Sequence, residues 1–305
     1  MVDFKVLILG NGSAVPTRWH NPTSQIVFYG RSKFLIDCAE GAQMQMIRYK
    51  VSGSTIDHIF ISHLHGDHFF GLIGLISSSH LAGRQKDLFI YAPDGLEGLI
   101  NHHLELTNTT LRFPLHFVPH EKNKKGPLYE DKNLTVNLIP LKHSVPSWGF
   151  VFKEKKRNRR ISKEFVEDKK PSVELIQKIK QGEDFVGKDG EVIRNKEITL
   201  PPFPPRSYAY CSDTAYDESI IPFIKNVNLL YHESTFDSSM HELAESVLHS
   251  TSEQAATIAK KANAGKLLLG HYSGRFKQLY TLEDEARKVF PNSVLSREGE
   301  RYDIG

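Results

Sequence analysis

Apolar residues along this chain fall mostly in short, near-continuous runs broken by glycine, asparagine and histidine. Residues 4–9, 24–29, 33–37, 57–62, 88–93, 115–119, 134–140 and 150–152 have the length and β-branched or aromatic content of strands. The segments 207–214, 227–236 and 266–276 each read as a strand running into a loop, and a last strand is expected near 293–296. Between the strands a 3.6-residue period predicts helices over 42–49, 69–81, 95–108, 252–263 and 282–290. Thr251 and Gln254 stand at capping-box spacing ahead of helix 252–263.

One segment, 153–206, breaks the pattern. It opens on the basic run 153–160 and closes on the proline-rich run 200–206, which is stiff and extended. Between them lie an amphipathic stretch, 172–181, and a hairpin-like 187–191. This reads as an insertion projecting from the main body as an arm. A dense Lys/Arg run grips backbone phosphates without reading sequence. The competing reading is a solvated linker.

Composition narrows the class. A length of 305 residues suits about two domain-sized units, and the net charge of only +3 excludes a polycation argument, so any basic footprint is local. Cys38 and Cys211 form no CxxC and read as core residues of a protein kept in a reducing compartment. No apolar run approaches the roughly 18 residues of a membrane span, and residues 4–9 are a strand rather than a signal segment, so a cytoplasmic enzyme without membrane contact is expected.

The candidate chemistry is concentrated in residues 59–72. Here His63, His65, Asp67 and His68 follow directly on a buried strand and precede a helix. His63 and His65 are two apart, so an extended backbone points both imidazoles the same way, toward one ion. Asp67 and His68 are adjacent, and at a turn can face a second. A site for two ions, in which the ions sit about 3.5–4 Å apart, accounts for the cluster better than a histidine-rich surface loop. Past other predicted strand ends stand His143, Asp213 and His271. A carboxylate at 213 can give one oxygen to each of two ions, which histidine cannot. His249, just ahead of a helix and paired with Glu233, suits a proton donor, because a neighbouring carboxylate orients an imidazole and raises its pKa. The glycines of 10–16 fail as a phosphate or dinucleotide loop: the third glycine and the Gly-Lys-Ser/Thr are missing, and Pro16 opposes a helix start.

The loop 63–68 resembles the signature of the metallo-β-lactamase superfamily. Asp37-Cys38-Ala39-Glu40, Ser212-Asp213-Thr214, His249-Ser250-Thr251 and His271-Tyr272-Ser273-Gly274-Arg275-Phe276 resemble, in order, further motifs of its ribonuclease Z branch. The resemblance covers essentially the whole chain. It implies an α+β fold, the αββα sandwich, as a single domain over 1–305 with the arm 153–206 inserted as a tRNA-binding exosite. The halves 1–152 and 207–305 would be similar β-rich units. It implies two zinc ions, with manganese or iron also compatible. His63, His65 and His143 would hold one, Asp67, His68 and His271 the other, and Asp213 would bridge them. Asp67, His249 and Glu233 are the implied catalytic residues. Arg18 and Arg275 are implied substrate contacts, with Asn21 a further candidate, and Asp37 and Glu40 are supporting residues. The implied activity is endonucleolytic removal of 3′ trailers from precursor tRNA, leaving a tRNA 3′-hydroxyl and a trailer 5′-phosphate, by a homodimer. A small-molecule hydrolase acting on a lactone, thioester or cyclic phosphodiester is the alternative, and an RNA-binding protein with a dead site is a third reading. The basic arm and the 271–276 motif disfavour the second, and the intact ligand set disfavours the third.

Overall fold

The computed structural model describes residues 2–120, 126–187 and 190–305. The chain builds two seven-stranded sheets. The first runs, in spatial order, Arg301–Asp303, Phe4–Gly10, Ser24–Tyr29, Ser32–Ile36, His58–Phe60, Leu88–Ala92, Leu115–Pro119. The second runs Ser293–Leu295, Lys266–Gly270, Leu229–Glu233, Ser207–Cys211, Ser147–Glu154, Leu134–Leu141, Tyr129–Glu130.

Strand parity sorts the core into layers. In the first sheet Leu35 and Ile59 pack with Met46, Leu72, Leu75 and Ile100 of the covering helices. Their neighbours Phe34 and Phe60 point the other way and meet Phe152 and Phe150 of the second sheet, with ring centroids 5.6 and 5.4 Å apart. In the strand Ser207–Cys211, Ala209 and Cys211 pack with Ala255, Ala259 and Leu282 of the second helix layer. Tyr208 and Tyr210 are fully buried on the opposite face. Central strands are therefore buried on both faces, as their near-continuous apolar runs require. Each aromatic ring taken from water contributes about 1.5–3 kcal/mol, and this aromatic layer joins the sheets. The result is the expected αββα sandwich.

Several boundaries differ from expectation. The predicted helix 69–81 is two helices, Gly66–Phe69 and Gly71–Leu81, so Asp67 and His68 lie on a helical turn rather than an open loop. The strand Arg301–Asp303, too short and polar to show a period, pairs antiparallel with the first strand. The sheets also exchange strands relative to the halves 1–152 and 207–305. The second sheet takes the strands between 129 and 154, and the first takes the last strand of the chain. Periodicity reports which face of a strand is buried, not which strand it pairs with.

Two compact units emerge, one of residues 1–129, 136–152 and 207–305, the other of 130–135 and 153–206. The smaller has its own core of Phe165, Ile179, Phe185 and Ile198, which a solvated linker would lack. Its helices Lys163–Lys169 and Val173–Gln181 are each capped by a serine, Ser162 and Ser172, that accepts a hydrogen bond from a backbone NH of the first turn. The strands Phe185–Val186 and Val192–Ile193 pair as the hairpin reading of 187–191 anticipates; Lys188 and Asp189 at its tip lie outside the described residues. Glu154 is buried and ion-paired to both Arg206 and Arg157.

Candidate metal centre

The candidate ligands converge because they all follow strand ends. Beyond His58–Phe60 the chain bends at Leu64, is extended at His65 and then turns into Gly66–Phe69. His143 follows Leu134–Leu141, Asp213 follows Ser207–Cys211, and His271 follows Lys266–Gly270. Asp37, Asp213 and His271 adopt φ of 53°, 53° and 57°. Few non-glycine residues occupy this left-handed region, and aspartate and histidine are among those that do so most readily. Such strain clusters at sites where the surrounding structure imposes it.

Two clusters result. His63, His65, His143 and Asp213 offer atoms within 4.8 Å of one another, as do Asp67, His68 and His271. The Oδ2 of Asp213 lies 3.7 Å from His63 Nε2 and 3.8 Å from His143 Nε2; its Oδ1 lies 3.2 Å from His68 Nε2 and 3.1 Å from His271 Nε2. One carboxylate thus presents an oxygen to each cluster. His65 Nδ1 stands 3.1 Å from His63 Nε2 and 3.2 Å from His143 Nε2. Asp213, His249 and His271 form a third, overlapping group.

The hydrogen-bond network assigns the imidazole tautomers. His68 Nδ1 donates to Asp37 Oδ2 at 2.7 Å, and His143 Nδ1 donates to the Leu248 carbonyl at 3.1 Å. The Ser62 hydroxyl gives its proton to Asp37, so its oxygen accepts from His63 Nδ1 at 3.0 Å. The Thr235 hydroxyl gives its proton to Glu233, so its oxygen accepts from His271 Nδ1 at 3.0 Å. With each Nδ1 so engaged, each ring turns its Nε2 toward Asp213. His68 Nε2 and His271 Nε2 are buried without a hydrogen-bond partner. Buried ring nitrogens converging on a carboxylate without a hydrogen bond call for positive charge at that point, so this donor set fits a cation in each cluster.

Electrostatics point the same way. Burial holds His63 well below the usual imidazole range, and lowers His65 and His271 too. Burial opposes charge on Asp213, yet the surrounding His271, His68 and His63 keep its pKa well below the ordinary value. Burial also opposes charge on His68, but the Asp213 and Asp37 carboxylates outweigh it and raise its pKa well above normal. The pocket draws positive charge.

Beside the clusters, His249 Nδ1 is 2.8 Å from Glu233 Oε1. Glu233 also accepts from the backbone of Thr214 and Ser250 and from the Thr235 hydroxyl. Burial would lower the His249 pKa, but the charge and hydrogen bond of Glu233 outweigh it and raise it to about 9. Asp67 Oδ2 accepts from the Ala14 backbone at 2.9 Å. Arg18 and Arg275 are exposed, their guanidinium carbons 5.8 Å from the Trp19 ring and 6.0 Å from the Phe236 ring. Asn21 is turned elsewhere: its backbone and side-chain NH groups donate to Glu298 at 2.6 and 2.7 Å, so it anchors its loop. His116 pairs with Asp87, and His120 packs on Trp148, both away from the clusters, as expected of ordinary residues.

Asp37 is a supporting residue, as the resemblance implies, but its partners are not legible in the sequence. This carboxylate accepts from Ser62 N, Ser62 Oγ, His68 Nδ1 and, at 2.7 Å, from the Tyr210 hydroxyl of the other sheet. A tyrosine at an inward position three residues before Asp213 was the only local signal.

A family model described as anti-Pycsar protein Apyc1 matches residues 4–199. "Ribonuclease Z" of Parabacteroides distasonis is 44% identical over 304 residues, covering all of both chains. "Ribonuclease Z" of Bacteroides thetaiotaomicron is 45% identical, covering 98% of this chain and 94% of the other. Among solved structures, human tRNase Z, short form, superposes with a TM-score of 0.70 at 24% identity over 99% of each chain. The metallo-β-lactamase fold protein YhfI from Bacillus subtilis does so with 0.71 at 20% identity, again over 99% of each. At these identities the structural neighbours speak to the fold.

Proposed function

This chain belongs to the ribonuclease Z family and, over residues 4–199, to the family described as anti-Pycsar protein Apyc1, and we propose that its His/Asp centre is where precursor tRNA is cut. It is a tRNA 3′-processing endoribonuclease that hydrolyses the phosphodiester between the tRNA and its trailer. The observation that carries the assignment to this centre is the set of imidazole Nε2 atoms aimed at the two oxygens of Asp213, two of them buried and without a hydrogen-bond partner. The small-molecule alternative is not favoured, because the likeness to ribonuclease Z runs through the whole chain, the second unit included.

His63, His65 and His143 would hold one divalent ion and Asp67, His68 and His271 the other, with Asp213 shared. Imidazole-rich ligation favours zinc, with manganese or iron also accommodated. Bound there, the ions would polarise the scissile phosphodiester and neutralise charge developing in the transition state. Asp67, pinned by the Ala14 NH, orients the attacking water. His249, its Nδ1 held by Glu233, presents Nε2 to the departing 3′-oxygen and gives it a proton as the P–O3′ bond breaks. Water thus supplies the oxygen of the trailer 5′-phosphate, and the tRNA leaves with a 3′-hydroxyl.

Arg18 and Arg275 contact phosphates near the cut. The second unit grips the tRNA body: Arg157, Arg159, Arg160, Lys180 and Gln177 line a groove of about 580 Å³ without a carboxylate among its lining residues. The protein works as a homodimer, for which exposed Met44, Ile47 and Phe70 supply apolar surface. It acts in the cytoplasm; among the described residues no helix is long and apolar enough to cross a membrane.

The deciding experiment is cleavage of a 3′-extended precursor tRNA with and without a chelator, with product ends sequenced. A chelator-sensitive cut at the tRNA–trailer boundary supports this reading. Binding without a cut would make the protein an RNA binder. Neither binding nor a cut would overturn both.

A further inference from the structure

We propose that Trp19 is a stacking platform for an unpaired nucleobase next to the scissile phosphate; the inference rests on the ribonuclease reading above. Trp19 is 70% exposed, an unusual placement for a large apolar ring. The exposure is imposed by a built turn. Thr17 NH donates to the His20 carbonyl at 2.9 Å, and Thr17 Oγ1 accepts from the backbone NH groups of Trp19 and His20 at 3.2 and 2.9 Å. His20 Nδ1 is tied to Asn11 at 2.8 Å, and Asn21 is clamped by Glu298. The turn therefore fixes the backbone that presents the indole to solvent.

The same loop is fastened to the candidate metal centre. Ala14 NH donates to Asp67 Oδ2. Ser13 NH donates to the carbonyl of Tyr272 at 2.9 Å, and Tyr272 NH donates to the Asn11 carbonyl at 2.8 Å, beside His271. A Cβ on Gly274 would come within 3.1 Å of Thr17 Cγ2, so the turn also abuts the segment that carries Arg275. Ala14 and Trp19 are five positions apart, which bounds their Cα separation at about 17 Å. The ring thus stands within reach of the nucleotides nearest the cut. Arg18 lies over it, 5.8 Å from the centroid, placing a cation beside the π face. Aromatic and guanidinium planes are what single-stranded RNA bases stack on, and every base offers a π face, so the platform tolerates any sequence.

The test compares wild type, Trp19→Ala and Trp19→Phe on precursor tRNA in which nucleotides flanking the cut are replaced singly by abasic analogues. Trp19→Ala should lower kcat/KM on intact RNA by about 5- to 150-fold, the range of one base–aromatic stack. Trp19→Phe should recover most of it. One abasic position should cost the wild type a similar factor and cost Trp19→Ala nothing more. The loss on RNA should exceed any loss on bis(p-nitrophenyl) phosphate, which has no base. In parallel, a single-stranded trailer oligonucleotide, a product and so not cut, should quench tryptophan fluorescence in the wild type and not in Trp19→Phe. Additive losses at every abasic position, equal losses on the base-free diester, or quenching that persists in Trp19→Phe would each overturn the proposal. A wild type that fails to cut precursor tRNA would instead defeat the ribonuclease reading, and the quenching experiment would still decide whether Trp19 meets bases.

Discussion

Asp37 and Glu233 are buried carboxylates built alike, one at a strand end of each sheet. Asp37 gathers a backbone NH and a hydroxyl from Ser62, the hydroxyl of Tyr210 and the imidazole of His68. Glu233 gathers the backbone NH groups of Thr214 and Ser250, the hydroxyl of Thr235 and the imidazole of His249. The difference lies beyond the imidazoles. His68 is fully buried, and its second nitrogen faces Asp213 at 3.2 Å. The His249 side chain keeps 15% exposure. On the proposed reading, the same support serves a metal ligand at His68 and a proton donor at His249. What the far nitrogen meets decides the chemistry, not the carboxylate behind it.

The largest test of that contrast is His249→Ala. Turnover should fall by about 10²- to 10⁴-fold, the contribution of a general acid, while bound metal per chain stays at the wild-type value. Metal loss in this variant would place His249 with Asp213 and His271 as a ligand and erase the contrast. Asp37→Ala should act through the metal instead. Affinity should drop by about 10- to 100-fold, as for other residues that support a ligand, and excess metal should restore cleavage. A turnover defect that excess metal leaves untouched would contradict this role for Asp37.

Tyr210→Phe is the finer probe. It keeps the ring, which stacks 5.2 Å from Tyr231, and removes the hydroxyl that bonds to Asp37 across the sheets. Stability should fall by about 1 kcal/mol, measured by urea unfolding, with metal affinity reduced less than in Asp37→Ala.

The smallest effect serves as a control from the other unit, where Glu154 is a buried carboxylate partnered by guanidinium rather than imidazole. Burial would raise its pKa, but Arg206, aided by Arg157, outweighs that and lowers it from 4.5 to about 2. A depressed carboxylate pKa means that its stabilisation is complete above about 4.5 and is lost as pH falls toward about 2. Urea midpoints between pH 2 and 5 should show that slope in the wild type and a shallower one in Glu154→Gln.

Much of the site was legible in the chain. His63, His65, Asp67 and His68 announce themselves because their spacing is set within six residues by extended backbone and one turn. Glu233 and His249 were paired correctly from a strand end and a helix start, and the capping box at Thr251 formed as its spacing predicts. His143, Asp213 and His271 needed the order of motifs, since each stands alone on its own strand end. Asn21 was misjudged because its partner, Glu298, comes from the far end of the chain.

The alternation of strands, the apolar faces of the helices and the local ligand spacing are properties of a few consecutive residues, so the amino-acid order alone dictated them. The hydrogen-bond partners of His68, His143 and His271 were decided only by tertiary folding, and the bond from Tyr210 to Asp37 only when the two sheets packed. That last bond joins residues 173 positions apart. Contacts of that kind depend on which strands pair and how two aromatic faces interlock, and no local period carries that information.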